Sequence, residues 1–168
     1  MKGFQSIRPE ELTGNPFEMI GTRWMLIGAG NKEQHNMMTA SWGTFGVLWF
    51  KPVVTVYVRP SRHTYGLLET NTLFTLSFFP ETYREALNFC GSFSGRDVDK
   101  TRDCKLTALE TDNGTICFAE SDLIIECRKI YFHDLVPANF LDDGIEKNYH
   151  GSDYHRVYYG EITGIYRK

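Results

Sequence analysis

The chain has 168 residues, of which 42% are hydrophobic and 14% aromatic. A chain of this length and composition is expected to form one domain, here over residues 1–168, with a sizeable core. Its 18 basic and 21 acidic side chains give a net charge of −3. This balance gives no reason to expect a nucleic-acid-binding face or a basic membrane anchor. Arg8, Pro9 and Glu10 stand where a secretory signal would place its apolar stretch, so we expect a soluble, cytoplasmic protein.

Four cysteines are scattered along the chain, and none forms a C-x-x-C pair. Such spacing favours small core hydrophobes over a disulfide framework or a zinc site. Cys90 precedes a Gly/Ser-rich loop, and we expect a buried thiol there.

The hydrophobic pattern is mostly that of β-strands. The run VVTVYV at 53–58 is typical of a strand buried on both sides, and Pro80 ends the strand-like run LFTLSFF. In chain order the predicted strands are 24–27, 35–40, 44–47, 53–58, 73–79, 123–132, 154–160 and 161–166, the last two hinged at Gly160. Many strands and few helices favour a closed or nearly closed β-barrel.

The predicted helices are short. Ser61 can cap a helix that extends to Asn71. Thr82 and Glu85 form a capping-box pattern before a helix over 83–89, which Gly91 would end. Residues 100–104 can form one further turn.

Three common site patterns are incomplete or absent. The segment Gly28-Ala29-Gly30 begins like a dinucleotide fingerprint, but Glu33 occupies the third glycine position and no amphipathic helix follows. We expect a turn between two strands there. The five histidines lack metal-ligand spacing, and no G-x-S-x-G motif indicates a hydrolase.

The segment 36–43, NMMTASWG, alternates small or hydroxyl residues with bulky ones. A strand edge of this kind can offer main-chain N–H and C=O groups to a flat heterocycle, although an ordinary barrel strand explains the pattern too.

The segment 59–64, RPSRHT, places two arginines and two hydroxyl residues at the start of a predicted helix. Unpaired N–H groups and the positive helix dipole favour a phosphate at such a position, and arginine forks match phosphate oxygens. A solvated helix start is the alternative. A Gly/Ser loop, CGSFSGRDVDK at 90–100, is a third candidate for function.

Together the three segments indicate a phosphorylated, planar cofactor in a β-barrel, and FMN meets that description. Their order and spacing resemble the flavin reductase-like family, and more narrowly its flavoredoxin branch of FMN-binding split-barrel proteins. The resemblance covers roughly residues 15–165.

The resemblance implies a mainly β, Greek-key split barrel with a few short flanking helices, a homodimer, and FMN near the subunit interface. It assigns Asn36 and the strand Met38, Thr39, Ala40, Ser41 and Trp42 to the isoalloxazine. It assigns the phosphate to Arg59, Ser61, Arg62 and Thr64, and a cover over the flavin to Ser92, Phe93, Ser94, Gly95 and Lys100.

Members of this family commonly pass electrons from NADH or NADPH to flavin, or carry electrons between proteins. The sequence shows no nicotinamide-binding motif, so the donor stays open. We therefore expect an FMN-dependent oxidoreductase. The alternatives are an FMN electron carrier between protein partners, a β-barrel that binds another ligand such as haem, with His63 as a candidate axial ligand, and a domain without a cofactor.

Overall fold

The computed structural model describes residues 1–168 and contains ten strands and four α-helices. The strands are β1 (Gln5–Ile7), β2 (Met25–Gly30), β3 (His35–Ala40), β4 (Gly43–Leu48), β5 (Lys51–Val58), β6 (Leu73–Phe78), β7 (Ala108–Glu110), β8 (Ile116–Phe118), β9 (Leu123–Asp134) and β10 (Arg156–Arg167). The helices are α1 (Pro16–Glu18), α2 (His63–Thr70), α3 (Arg84–Ser92) and α4 (Lys100–Asp103). None of them has the length and apolar character that crossing a bilayer requires.

One antiparallel sheet dominates the fold. Its order is β3-β2-β6-β9-β10-β5-β4, with β1 paired to β10, while β7 and β8 form a separate ribbon. The predicted mainly β architecture with few short helices is confirmed. The VVTVYV run lies in β5, where Val54, Val56 and Val58 are fully buried in the main core. Strand β3 lies at one end of this order, so one of its edges is free for other groups.

The predicted strands 154–160 and 161–166 form one strand, β10, which continues through the predicted hinge at Gly160. Gly160 pairs with Val54 on one side and Lys129 on the other, and the register with β9 shifts beside it. A Cβ atom at Gly160 would lie 2.6 Å from the Phe74 ring and 2.8 Å from Cys127 Cβ. The glycine therefore permits close packing at a bulge and does not end the strand.

The predicted helix caps are also wrong. Helix α2 begins after Arg62, and the Ser61 hydroxyl donates to Asp153 across 2.6 Å. Helix α3 begins after a 3-10 turn, and its N-cap, Tyr83, makes no side-chain cap bond. Arg84 binds the Glu81 carboxylate instead and stabilises this later start. Gly91 lies inside α3, which ends at Ser92.

The glycine segment at 28–30 belongs to strand β2, and the turn follows it at residues 31–34. The Asn31 side chain accepts from the N–H groups of Glu33 and Gln34, which explains the turn. A Cβ atom at Gly28 would lie 2.9 Å from Thr75 Oγ1, so this glycine is explained by close strand packing and not by a ligand.

Candidate functional site

Two adjoining depressions bring all the predicted site residues together. The polar cleft, ≈ 600 Å³, contains Asn36, Met38, Arg59, Ser61, Arg62, Thr64, Ser92, Phe93, Ser94, Gly95 and Lys100. The aromatic groove, ≈ 170 Å³, contains Met38, Thr39, Ala40, Ser41, Trp42, Arg59 and Arg62. Because Met38, Arg59 and Arg62 line both, the two depressions form one continuous site.

The elements of the fold explain why distant segments meet here. The outer edge of β3 faces the α3–α4 region, where Thr39 Oγ1 donates to the Leu87 carbonyl at 2.5 Å. Strand β5 ends at Val58, so Arg59 and the start of α2 follow directly at the mouth of the cleft. The loop between α3 and α4 closes the opposite side.

Asn36 connects two walls of the polar cleft. Its side-chain amide donates to Thr64 Oγ1 at 2.8 Å, and both residues are buried. Gly95 packs against the same amide, since a Cβ atom there would lie 2.1 Å from Asn36 Oδ1. Asn36 lines the polar cleft and not the aromatic groove, and its contact with an isoalloxazine stays a prediction.

Positive charge is concentrated in the polar cleft. Arg62 Nη1 donates to the Gly91 carbonyl at 2.9 Å, which positions its guanidinium with further N–H donors unused by that bond. Arg96 Nη1 donates to the Ser61 carbonyl at 3.1 Å. The charged residues that line the cleft are the cations Arg59, Arg62, Arg96 and Lys100 and the carboxylates Asp97 and Asp153. This excess of cations favours an anionic ligand.

Lys100, which the resemblance assigns to the cover over the flavin, lines the polar cleft as a buried residue. The residue is only 5% exposed, and its ammonium donates to the main-chain carbonyls of Met37 and Cys90 at 2.9 and 2.8 Å. Burial lowers the pKa of Lys100. Lys100 therefore ties β3 to α3 beneath the loop, and it does not extend over the site as a free charge.

The sequence did not identify two aromatic residues of the groove, Tyr57 and His155. The Trp42 and His155 rings lie 5.1 Å apart, and Tyr57 meets His155 edge-on at 6.4 Å. Burial, with Arg59 and Arg62 nearby, lowers the pKa of His155 to about 4, so the ring is neutral at pH 7. Tyr149 Oη lies 2.9 Å from His155 Nδ1 and orients the ring.

A third depression, the apolar recess, adjoins the groove. It has a volume of ≈ 570 Å³ and shares Ser41, Trp42 and Tyr57 with the groove. Its other lining residues include Phe17, Phe45 and no charged side chain. The complete site therefore changes from cationic at one end to apolar at the other.

Comparison with known proteins identifies the family of the chain. A sequence model of the flavin reductase like domain matches residues 17–167, so the chain belongs to the flavin reductase-like family. A search of curated proteins finds no match.

Among solved structures, an FMN-binding protein from Thermus thermophilus with bound 1-cyclohex-2-enone has a TM-score of 0.68 and 22% identity over 97% of this chain and 80% of its own. Flavoredoxin from Methanosarcina acetivorans has a TM-score of 0.70 and 22% identity over 96% of this chain and 76% of its own. An NADH:FAD oxidoreductase from Streptomyces globisporus has a TM-score of 0.66 and 18% identity over 88% of this chain and 76% of its own. At these identities the similarity establishes the fold, which is the split barrel of flavin reductase-like proteins.

Proposed function

We propose that the protein is an FMN-binding oxidoreductase, either an NAD(P)H-dependent flavin reductase or a flavoredoxin. The observation that carries the proposal is the continuity of the cation-lined polar cleft with the aromatic groove. A phosphorylated flavin has the matching chemistry, with an anionic group at one end and a planar ring system at the other.

The donors of the polar cleft fit a phosphate. The Arg62 fork has free N–H groups, and the Thr64 hydroxyl keeps its proton for donation, because it accepts from Asn36. In the first turn of α2 the Tyr65 N–H donates to the Arg62 carbonyl, whereas the His63 and Thr64 N–H groups have no main-chain partner. In this proposal Arg62, Thr64 and the loop 92–95 hold the phosphate, and Arg59 and Ser61 contribute once they are free of Asp153.

The aromatic groove fits the ring system. Trp42, Tyr57 and neutral His155 supply uncharged flat surfaces, and residues 38–42, at the end of β3 and just beyond it, line the groove. FMN supplies the hydride and electron chemistry when it is bound. The chain orients the ring through the phosphate anchor, and its main-chain N–H groups favour the more anionic reduced form.

The substrates proposed from the family are NADH or NADPH together with free flavin or a redox protein. The apolar recess offers room beside the groove, but none of its residues carries a positive charge to pair with the phosphates of a nicotinamide dinucleotide. This observation favours the second candidate, a non-enzymatic FMN carrier that exchanges electrons with a protein partner.

We also propose a homodimer. Strand β4 lies at the free end of the sheet, and its hairpin exposes Val47 by 78%, Trp49 by 56% and Phe50 by 103%. An apolar edge of this kind is typical of an interface between subunits. A cytoplasmic location agrees with four free cysteines, of which three are buried.

Anaerobic addition of NADH or NADPH to the FMN-loaded protein tests the proposal. Bleaching of the ~450 nm flavin band by either nucleotide supports a reductase. A band that neither nucleotide bleaches, but that a reduced redox protein does bleach, supports the carrier. A protein that takes up haem and no flavin contradicts both candidates.

A further inference from the structure

The Asp153 carboxylate occupies hydrogen-bond donors at the phosphate end of the site. Its Oδ1 accepts from the Ser61 N–H at 3.0 Å, and its Oδ2 accepts from the Ser61 hydroxyl at 2.6 Å. Arg59 Nη1 lies 4.0 Å from Oδ2. One main-chain N–H, one hydroxyl and one guanidinium are the partners that a phosphate oxygen would take. The Asp153 carboxylate thus occupies part of the proposed phosphate site.

The backbone conformation of Asp153 and the bonds made by Arg59 hold the Asp153 carboxylate against Ser61. Asp153 lies in the 21-residue connection between β9 and β10, residues 135–155, and has a positive φ of 57°. Arg59 donates to the carbonyls of Asn148 at 2.6 Å and Asp153 at 3.5 Å, and its guanidinium lies 5.0 Å from the Tyr149 ring centroid. Arg59 therefore binds this connection at three points and is turned toward it.

The second carboxylate of the cleft differs from the first. Asp97 lines the same cleft, but its side chain makes no hydrogen bond or ion pair with Arg59 or Ser61. Both residues reduce the positive potential that a phosphate meets. Only Asp153 also competes for the donors themselves.

From this geometry we infer that Asp153 is a specificity-determining residue that competes with the flavin phosphate for Ser61 and Arg59. The inference rests on the proposed function. A phosphate carries a charge of about −1.5 to −2 at neutral pH, so it can bind these donors only after the carboxylate leaves them. Riboflavin, which has the same ring system and no phosphate, requires no displacement. Asp153 consequently lowers the affinity for FMN and not the affinity for riboflavin, so it reduces the ratio of the two affinities.

The variant Asp153→Asn tests the competition with little change of shape. Asparagine tolerates a positive φ, so the backbone of the connection is retained, while the neutral amide accepts more weakly than a carboxylate. Asp153→Gly removes the side chain and also permits this φ. Asp97→Asn is the matched control, because it deletes the same charge from the same cleft without releasing Ser61.

Titrations of each purified protein with FMN and with riboflavin, followed by flavin fluorescence, provide the readout. We expect Asp153→Asn and Asp153→Gly to bind FMN about tenfold more tightly than the parent, with riboflavin affinity unchanged. Asp97→Asn should gain less than Asp153→Asn. Thermal unfolding of each variant verifies that it folds.

Two outcomes overturn the inference in distinguishable ways. If riboflavin binds as before but both Asp153 variants bind FMN equally or more weakly, the carboxylate positions Ser61 for the phosphate or has no part in binding. The flavin function then stands, and competition is wrong. If neither flavin binds to the parent or to any variant, the proposed function fails and this inference falls with it.

Discussion

Asn36 and Thr64, 28 positions apart in the chain, are joined by a buried hydrogen bond of 2.8 Å. The bond connects the edge strand β3 to the first turn of α2, and Gly95 packs against it from the third wall of the cleft. It therefore sets the relative positions of the three segments that the sequence singled out. An unpaired amide buried at this point would cost about 1–3 kcal/mol, so the contact also stabilises the fold.

Gly95→Ala should disrupt the packing of the loop against the Asn36 side chain. The new Cβ atom would lie 2.1 Å from Asn36 Oδ1, so the amide or the loop must move. We expect the free energy of unfolding to fall by about 1–3 kcal/mol, and FMN affinity to fall with it. Chemical denaturation measures the first effect and a flavin titration the second.

Gly66→Ala is a control for a Gly→Ala exchange without a clash, and a double variant tests the contact between Gly95 and Asn36. Gly66→Ala in α2 meets nothing within 4 Å and should stabilise the protein by about 0.5–1 kcal/mol. The double variant Asn36→Ala/Gly95→Ala should lose less stability than the sum of the two single losses, because the clash exists only when both side chains are present. A double variant whose loss is the sum of the two single losses would contradict a direct contact.

Arg62→Ala should weaken FMN binding by about 1.5–3 kcal/mol, because a charged hydrogen bond to the phosphate is lost. Riboflavin binding should change much less, since riboflavin has no phosphate. Arg102→Ala, which removes an exposed arginine paired with Asp103 on α4, is the matched control. Unchanged FMN affinity in Arg62→Ala, with Arg102→Ala also unchanged, would show that the phosphate binds elsewhere.

His155 should make stability depend on acidity. The pKa of His155 in the fold is about 4, below the ~6.5 of an unfolded histidine. The unfolded chain therefore binds this proton more readily, and the contribution of the neutral ring is complete above pH 6.5 and lost as the pH falls toward 4. The slope in this window cannot exceed about 1.4 kcal/mol per pH unit, which is the value for a difference of one bound proton between the unfolded and folded states.

Denaturation curves at pH 7.5, 6 and 5 for the parent and for His155→Gln provide the measurement. The parent should lose stability faster than the variant as the pH falls from 6.5 to 4. Parallel losses in the two proteins would assign the dependence to other groups.

The thiols beside the loop should react slowly in the native protein. Cys90 and Cys104 have their sulfur atoms 3.8 Å apart, and burial raises the pKa of Cys90 to about 12 and also raises that of Cys104. Because the thiolate is the nucleophile, an aromatic disulfide reagent at pH 7.5 should modify Cys104 first and Cys90 only on unfolding. Rapid modification of Cys90 in the folded protein would contradict the buried-thiol interpretation.

Local patterns predicted the longer strands, because β-branched and aromatic runs such as 53–58 and 73–79 are mostly buried, but they missed the three-residue strands β1, β7 and β8. They failed where tertiary contacts decide the outcome. Ser61 has the chemistry of a cap, but Asp153, 92 positions later, takes its hydroxyl. Gly160 looks like a strand end, yet the Phe74 ring explains why a glycine is required inside the strand.

The site residues were likewise predicted where they belong to local motifs and missed where only tertiary contacts bring them to the site. Residues in compact motifs, such as Arg62, Thr64 and Gly95, were predicted and lie together. Tyr57 was missed because its strand indicated only burial, and Asp153 and His155 belong to no motif. The run 53–58 held a usable signal, since Tyr57 is its one bulky polar-tipped residue and precedes Arg59 by two positions.

The central claim is that the cleft and groove together bind a phosphorylated flavin. Its most direct test is a visible-absorption titration of the purified protein with FMN, with riboflavin in parallel. The account predicts saturable binding of FMN, flavin bands near ~375 and ~450 nm that stay with the protein on gel filtration, and weaker binding in Arg62→Ala. A folded protein that retains neither flavin at any concentration tested would contradict it.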